Sequence, residues 1–133
     1  MHSLLQTSAT HQAHLLSRKE ISAVSLLDLY IDHLEQLHPK INAYVSFRLE
    51  QARTEALYFD NNHTSTPFGG VPCSIKECFA LTGMPHSAGL SSRANLCAQE
   101  DADAVSLYRK AGAIPLGVTN TSELCMWMES RNK

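Results

Sequence analysis

The sequence predicts an α/β fold in which helices come first and a mixed sheet, covered by helices, begins in the second half. Three observations predict it. A helical period of apolar residues runs through 14–60. Two short apolar stretches bounded by glycine lie at 69–75 and 113–118. Helix-like and strand-like segments alternate from Arg48 onward.

Elements follow in order. Residues 1–13 are polar and aperiodic and are expected to fray. A first helical stretch carries Leu15, Leu16 and Ile21. Ser22 is the candidate N-cap of a second helix, with Ser25 standing where a full capping box would place Glu or Gln. In that helix Leu27, Tyr30, Ile31, Leu34 and Leu37 share one face, with Asp28, Asp32, His33 and Gln36 opposite. Pro39 disfavours helical geometry in the residue before it, so the helix is expected to end at His38. Ile41 to Phe47 is β-branched and aromatic and reads as extended. Arg48 to Asp60 reads as a helix through Leu49, Ala52, Arg53, Ala56 and Leu57, and 61–67 as a surface loop.

A glycine turn at Gly69-Gly70 then enters an apolar strand ending at Ile75, followed by Lys76-Glu77 and the run Cys78-Phe79-Ala80-Leu81. Residues 83–92, rich in Gly, Pro and Ser, form a long loop. Asp101 is placed as the cap of a helix through Val105, Leu107, Tyr108 and Ala111, which Gly112 ends. Ala113 to Val118 is a strand running into Thr119-Asn120, and Ser122 opens one more helix. Residues 1–133 contain no repeat or linker and read as one partial domain: helices over 14–60, then the start of an α/β core over 68–133. The sheet begun here needs more strands to bury both its faces, so the fold is expected to be incomplete.

Composition narrows the function classes. With 133 residues, 44% hydrophobic and 18% charged, the chain has the make-up of a globular domain. A formal net charge of -2 with scattered basic residues gives no electrostatic reason for nucleic acid as partner. No window approaches the roughly 20 apolar residues that span a bilayer. The start, Met1-His2-Ser3-Leu4-Leu5-Gln6, lacks the features of a signal peptide, which favours an intracellular location and a chance origin for the sequons Asn62-His63-Thr64 and Asn120-Thr121-Ser122. Cys73, Cys78, Cys97 and Cys125 match no zinc spacing and read as free thiols, Cys73 as part of the core. His11 and His14 read as solvated surface residues.

No phosphate loop, nucleophile elbow or metal motif is present. Lys76 stands out because it follows a strand that reads as buried. A lysine there is either a strand-end residue whose ammonium reaches water or a desolvated amine. Burial lowers the pKa of lysines, and a neutral amine can act as general base.

The segment Pro67-Phe68-Gly69-Gly70-Val71-Pro72-Cys73-Ser74-Ile75-Lys76-Glu77 resembles the amidase-signature pattern G-[IV]-P-x-x-[IVL]-K-[DE]. Gly83-Met84-Pro85 and Ser87-Ala88-Gly89-Leu90 resemble the family's loop after that lysine. Asp101-Ala102-Asp103-Ala104-Val105 and Ala111-Gly112-Ala113-Ile114-Pro115-Leu116-Gly117-Val118-Thr119-Asn120 resemble its next helix, strand and T-N turn. The stretch 122–130 is similar to its fatty acid amide hydrolase branch. Four pieces in order at family spacing identify the chain as an N-terminal fragment of that family.

The resemblance implies hydrolysis of a carboxylic amide, with fatty acid amides as substrate class, by a Ser–cis-Ser–Lys triad and without metal or organic cofactor. It implies that Lys76 is the triad's base, and that both serines lie in glycine- and serine-rich segments not found in 1–133. Ser74, Ser87, Ser91, Ser92, Ser122 and Ser130 do not match those segments. Cys125 and Trp127 fall where such relatives line the acyl channel, against the alternative of ordinary helix packing. The implied partner is a small-molecule amide, with a homodimer and membrane association left open. Two alternatives stand beside this reading: a glutamine amidase of the amidotransferase type, and a non-catalytic truncated isoform that acts only by binding.

Overall fold

The computed structural model describes residues 4–62 and 65–130. Ser8 and Ser22 open the first two helices. Each has extended backbone and accepts an amide three residues on: His11 N–H at 3.2 Å for α1 (Ala9–Ser17), and Ser25 N–H at 3.0 Å for α2 (Ala23–Ile41). The Ser22 hydroxyl donates to Ser25 Oγ at 2.7 Å, the half-made capping box the sequence suggests.

The expected fraying over 1–13 is corrected for its described part. Leu4–Gln6 forms a single 3-10 turn and α1 starts at Ala9. Gln12 explains why. It is 1% exposed, donates to Leu4 O at 3.1 Å and accepts from the Tyr30 hydroxyl at 3.0 Å, which ties the N-terminal turn to α2. Met1, His2 and Ser3 lie outside the described residues, as do His63 and Thr64 of the first sequon.

Helix α2 also departs from expectation by passing through Pro39 to Ile41 and closing on Asn42 in the left-handed conformation. Proline costs the helix one N–H, but the carbonyl left over belongs to exposed Glu35, where water can satisfy it. The continued turn holds the His38 ring edge-on over Phe47 of β1 (Tyr44–Phe47), with ring centres 5.0 Å apart.

Helix α3 (Leu49–Asn62) runs past the expected Asp60 and buries Ala52, Ala56 and Phe59, while Leu57 faces solvent. Arg48 stands just before it, buried. Its guanidinium bonds both Glu55 oxygens, at 2.6 and 3.0 Å, and Pro115 O at 2.8 Å. The glycine turn leads into β2 (Pro72–Lys76), a long loop follows, and α4 (Asp103–Lys110) precedes β3 (Ile114–Thr119). Asp101 does not cap α4. That place falls to Ala102, without a side-chain bond, because Asp101 is drawn to the Thr82 amide and hydroxyl and to Arg109. Gly112 ends α4 at φ +95°; a Cβ there would meet Thr66 Oγ1 at 2.2 Å, so a side chain is excluded twice over.

The described sheet has three strands in the order β1-β3-β2, with β1 antiparallel and β2 parallel to the central β3. Every residue of β3 up to Val118 is buried. Its Ile114 and Leu116 pack with Leu16 of α1, Leu26, Leu27 and Ile31 of α2, and Phe59 of α3. Its Val118 joins a second cluster with Ile75, Leu81, Met84 and Val105. The switch coincides with an irregular register: Cys73 pairs with Pro115 but Ile75 with Val118, leaving one extra residue on β3. Gly117 sits in that bulge, where a Cβ would come 2.2 Å from Ser46 O. The helix expected from Ser122 is a single 3-10 turn, Glu123–Cys125, because Leu124 and Cys125 both take positive φ. Among the described residues no helix is long and apolar enough to cross a membrane.

Candidate functional site

Lys76 is the last residue of β2 and pairs with Thr119, the last residue of β3. The parallel register therefore brings the turns after both strands to one end of the sheet, where α/β folds commonly place ligands. Backbone bonds fix the first turn: Glu77 N–H donates to Thr119 O at 2.9 Å and Phe79 N–H to Lys76 O at 2.8 Å. The Lys76 side chain is exposed, so of the two readings of a strand-end lysine the water-reaching one describes this arrangement.

Glu77 points the other way and is 1% exposed. One carboxylate oxygen accepts the Ser87 N–H, pinning the loop that follows, and the other meets no donor among the described residues. Glu77, Ser87, Leu90, Asn120 and Thr121 line a small cavity of about 230 Å³. The motif marks an acidic residue at this position, but nothing in the local sequence pattern signalled that it would be buried. A larger cleft of about 620 Å³ lies beside Glu55, Tyr58, Asp101 and Arg109, and none of the expected site residues lines it.

Cys125 arrives from the turn after β3. Thr121 Oγ1 lies 3.1 Å from its sulfur. The Thr121 hydroxyl, then Cys78, then Lys76 pull the Cys125 thiol below its ordinary value, whereas burial, with Cys125 next, pushes the Cys78 thiol up. Cys78 is only half-buried and Cys73 likewise, so neither is the fully buried hydrophobe its apolar neighbours suggest. All four cysteines are free.

Trp127 is not brought to Lys76. Its ring is 73% exposed and edges a shallow pocket with Leu90, Leu124 and Met126. Its backbone is held by Ser122, whose hydroxyl donates to Trp127 O at 3.0 Å and accepts Trp127 N–H at 3.3 Å. Among the described residues Cys125 and Trp127 both stand exposed at an irregular turn. Ser87 Oγ accepts Gly89 N–H at 3.1 Å, so Ser87 and Ser122 both serve the backbone. His11 and His14 are exposed, as expected, and no group of three or more potential metal ligands occurs among the described residues.

The family model described as Amidase matches residues 25–133. The chain is similar to fatty-acid amide hydrolase 2-B of Danio rerio, at 46% identity over 97% of this chain and 27% of the relative. It is also similar to a glutamyl-tRNA(Gln) amidotransferase component of Syntrophobacter fumaroxidans, at 32% identity over 92% of this chain and 26% of the relative. A solved fatty acid amide hydrolase shares the fold with a TM-score of 0.87 at 21% identity, over 96% of this chain and 23% of that one. The chain thus spans about a quarter of the length of the curated relatives it matches.

Proposed function

The chain belongs to the amidase family, and from that premise we propose that it supplies the general base of an enzyme that hydrolyses carboxylic amides, with fatty acid amides as the substrate class. The observation that carries the reading is the place of Lys76. It closes β2 within the segment that resembles G-[IV]-P-x-x-[IVL]-K-[DE], beside the turn after the central strand. In the proposed reaction a bridging serine passes the nucleophilic serine's proton to the Lys76 amine, and the serine oxygen attacks the amide carbon. The proton then returns along the same route to the departing nitrogen, and water releases the acyl group from the serine. Both serines belong to segments beyond residues 1–133.

Turnover of a long-chain primary amide by the full-length protein tests this. Lys76→Ala is expected to lower kcat by at least about a thousandfold, as loss of a triad member does. Labelling by a serine-directed fluorophosphonate is expected to fall with it. A variant that kept near-normal turnover would overturn the assignment of Lys76.

The amidotransferase relative supports a second reading, in which the amide is glutamine and the product ammonia. Lys76-Glu77 and the stretch 123–127 favour the fatty-amide branch. Glutamine hydrolysis without turnover of long-chain amides would reverse that preference.

A further inference from the structure

A closed circuit of hydrogen bonds joins the two turns that leave the sheet beside Lys76. Glu77 N–H donates to Thr119 O at 2.9 Å, at the end of β3. The Glu77 carboxylate, 1% exposed, accepts Ser87 N–H at the tip of the 83–92 loop. From the turn after β3, Leu124 N–H donates to Ala88 O at 2.8 Å, one residue along that tip. The tip lies close against this turn. Gly89 has φ +74°, and a Cβ there would come 3.0 Å from Glu123 N and Ser122 O.

The base of the loop closes separately, through Gly83 N–H on Ala98 O at 2.8 Å and Ala98 N–H on Met84 O at 2.9 Å. His86 adds a longer tie to the turn after β2, with Nε2 3.2 Å from Cys78 O. The Glu77 bond differs in being charge-assisted and buried, which makes it the stronger hold on the tip.

We propose that Glu77 is a positioning residue for Lys76: its carboxylate clamps the loop tip onto the turn after β3, and the circuit so closed fixes the frame from which the lysine amine works. The peptide unit between Lys76 and Glu77 transmits the hold. Its oxygen accepts Phe79 N–H at 2.8 Å while its N–H is bound to Thr119 O, so the unit is pinned at both ends. The β2 strand places the Lys76 backbone, but the exposed four-carbon side chain takes its direction from the turns on either side. Glu77 touches no reacting atom in this role. The catalytic part of the inference rests on the reading of Lys76 as base; the clamp does not.

The test measures hydrogen exchange by mass spectrometry and amide turnover on the full-length protein and its variants. In Glu77→Ala, amides over 86–90 are expected to exchange faster while Ala98 at the loop base stays protected. Its kcat should fall at least about tenfold with KM little changed, since a misplacement of about 1 Å can cost a hundredfold. Glu77→Gln keeps an oxygen for Ser87 N–H and should retain most of the wild-type kcat and protection. Gly89→Ala pushes the tip off the turn with Glu77 intact and should lower kcat in the same way, which decides the matter if Glu77→Ala does not fold. Asp60→Ala, which loosens the start of α2, should leave kcat unchanged in the folded protein.

Unchanged exchange over 86–90 in Glu77→Ala overturns the clamp. Faster exchange with normal kcat overturns the positioning role, as does an equal kcat loss in Glu77→Gln or in Asp60→Ala. A wild-type protein that hydrolyses no amide overturns the proposed function, and the exchange data still decide the clamp.

Discussion

The carboxylate of Asp60, near the end of α3, accepts the backbone N–H of Ala23 at 2.7 Å, the first residue of α2, and its second oxygen takes Val24 N–H at 3.1 Å. A helix start leaves four amides without internal partners, and Ser22 satisfies the third. Asp60 completes the cap from another helix, with its negative charge at the positive end of the α2 dipole.

Asp60→Ala is therefore expected to destabilise the fold by about 2 kcal/mol, the range for a lost cap whose bonds are charge-assisted. Asp60→Asn should cost less, since an amide oxygen still accepts one bond. Urea unfolding of the full-length protein reads both, and equal losses would show that the contacts are not capping bonds.

Glu55 joins Arg48, at 2.6 Å, to Arg109, at 2.9 Å, and Arg109 continues to Asp101 at 2.7 Å. Arg48 is buried, so removing its partner strands a charge away from water. Glu55→Ala is expected to cost about 3 kcal/mol, the lower end for a broken buried pair, because Glu55 is itself partly exposed. The exposed pair Arg53–Asp28 is the internal control: Arg53→Ala should cost less than about 1 kcal/mol.

Much of this framework is legible in sequence because it is local. The Ser22 cap follows from spacing, as does Gly112 behind α4; the expected face of α2 holds for Leu27 and Ile31, but Leu37 at its end is exposed and the fully buried Leu26 lies outside it. What misled at Asp101 was a partner far along the chain. Asp101 has the composition of a cap, but Thr82 and Arg109 compete for its oxygens and win. Leu57 and Leu107 fit a helical period yet face solvent, while Phe59 and Val105 take the inward positions. At the site, Lys76 was marked by its motif and Cys125 by its place in the stretch after the T-N turn. The burial of Glu77 under Ser87 depends on how the long loop folds back on the end of β2, which no spacing rule encodes.

Acid should probe Asp101. Burial works to raise its pKa, but the Thr82 amide and hydroxyl and the Arg109 guanidinium together hold it below the ordinary 3.8. A depressed carboxyl binds fewer protons in the folded than in the unfolded state. Its contribution is thus complete above pH 3.8 and is lost as the pH falls through the folded value. Asp101→Asn should lower stability at neutral pH and flatten its decline below pH 3.8, as followed by thermal melts across that range.

Thiol accessibility gives an independent check. Burial, ahead of the opposing pull of Arg48, pushes the Cys73 thiol from 9.0 up to about 12. At pH 9, iodoacetamide should modify exposed Cys97 and Cys125 well before Cys73. The neutral Cys73 thiol favours the fold, so its contribution is present below 9.0 and is lost as the pH rises towards about 12. Early alkylation of Cys73 in native protein would show that β2 does not shelter it.

Of the three described strands, the middle one is made last. As the polypeptide leaves the ribosome, β1 and β2 emerge with no hydrogen-bonding partner between them, and both must wait until Val118 and Thr119 have cleared the exit before these three strands can pair. The helices of the first half can assemble meanwhile around Leu26, Leu27 and Phe59. Lys76, though encoded well before β3, therefore gains its fixed position only when β3 arrives. A pause in translation shortly before Ile114 would hold the nascent chain with two open strand edges, the stage at which it would most need a chaperone.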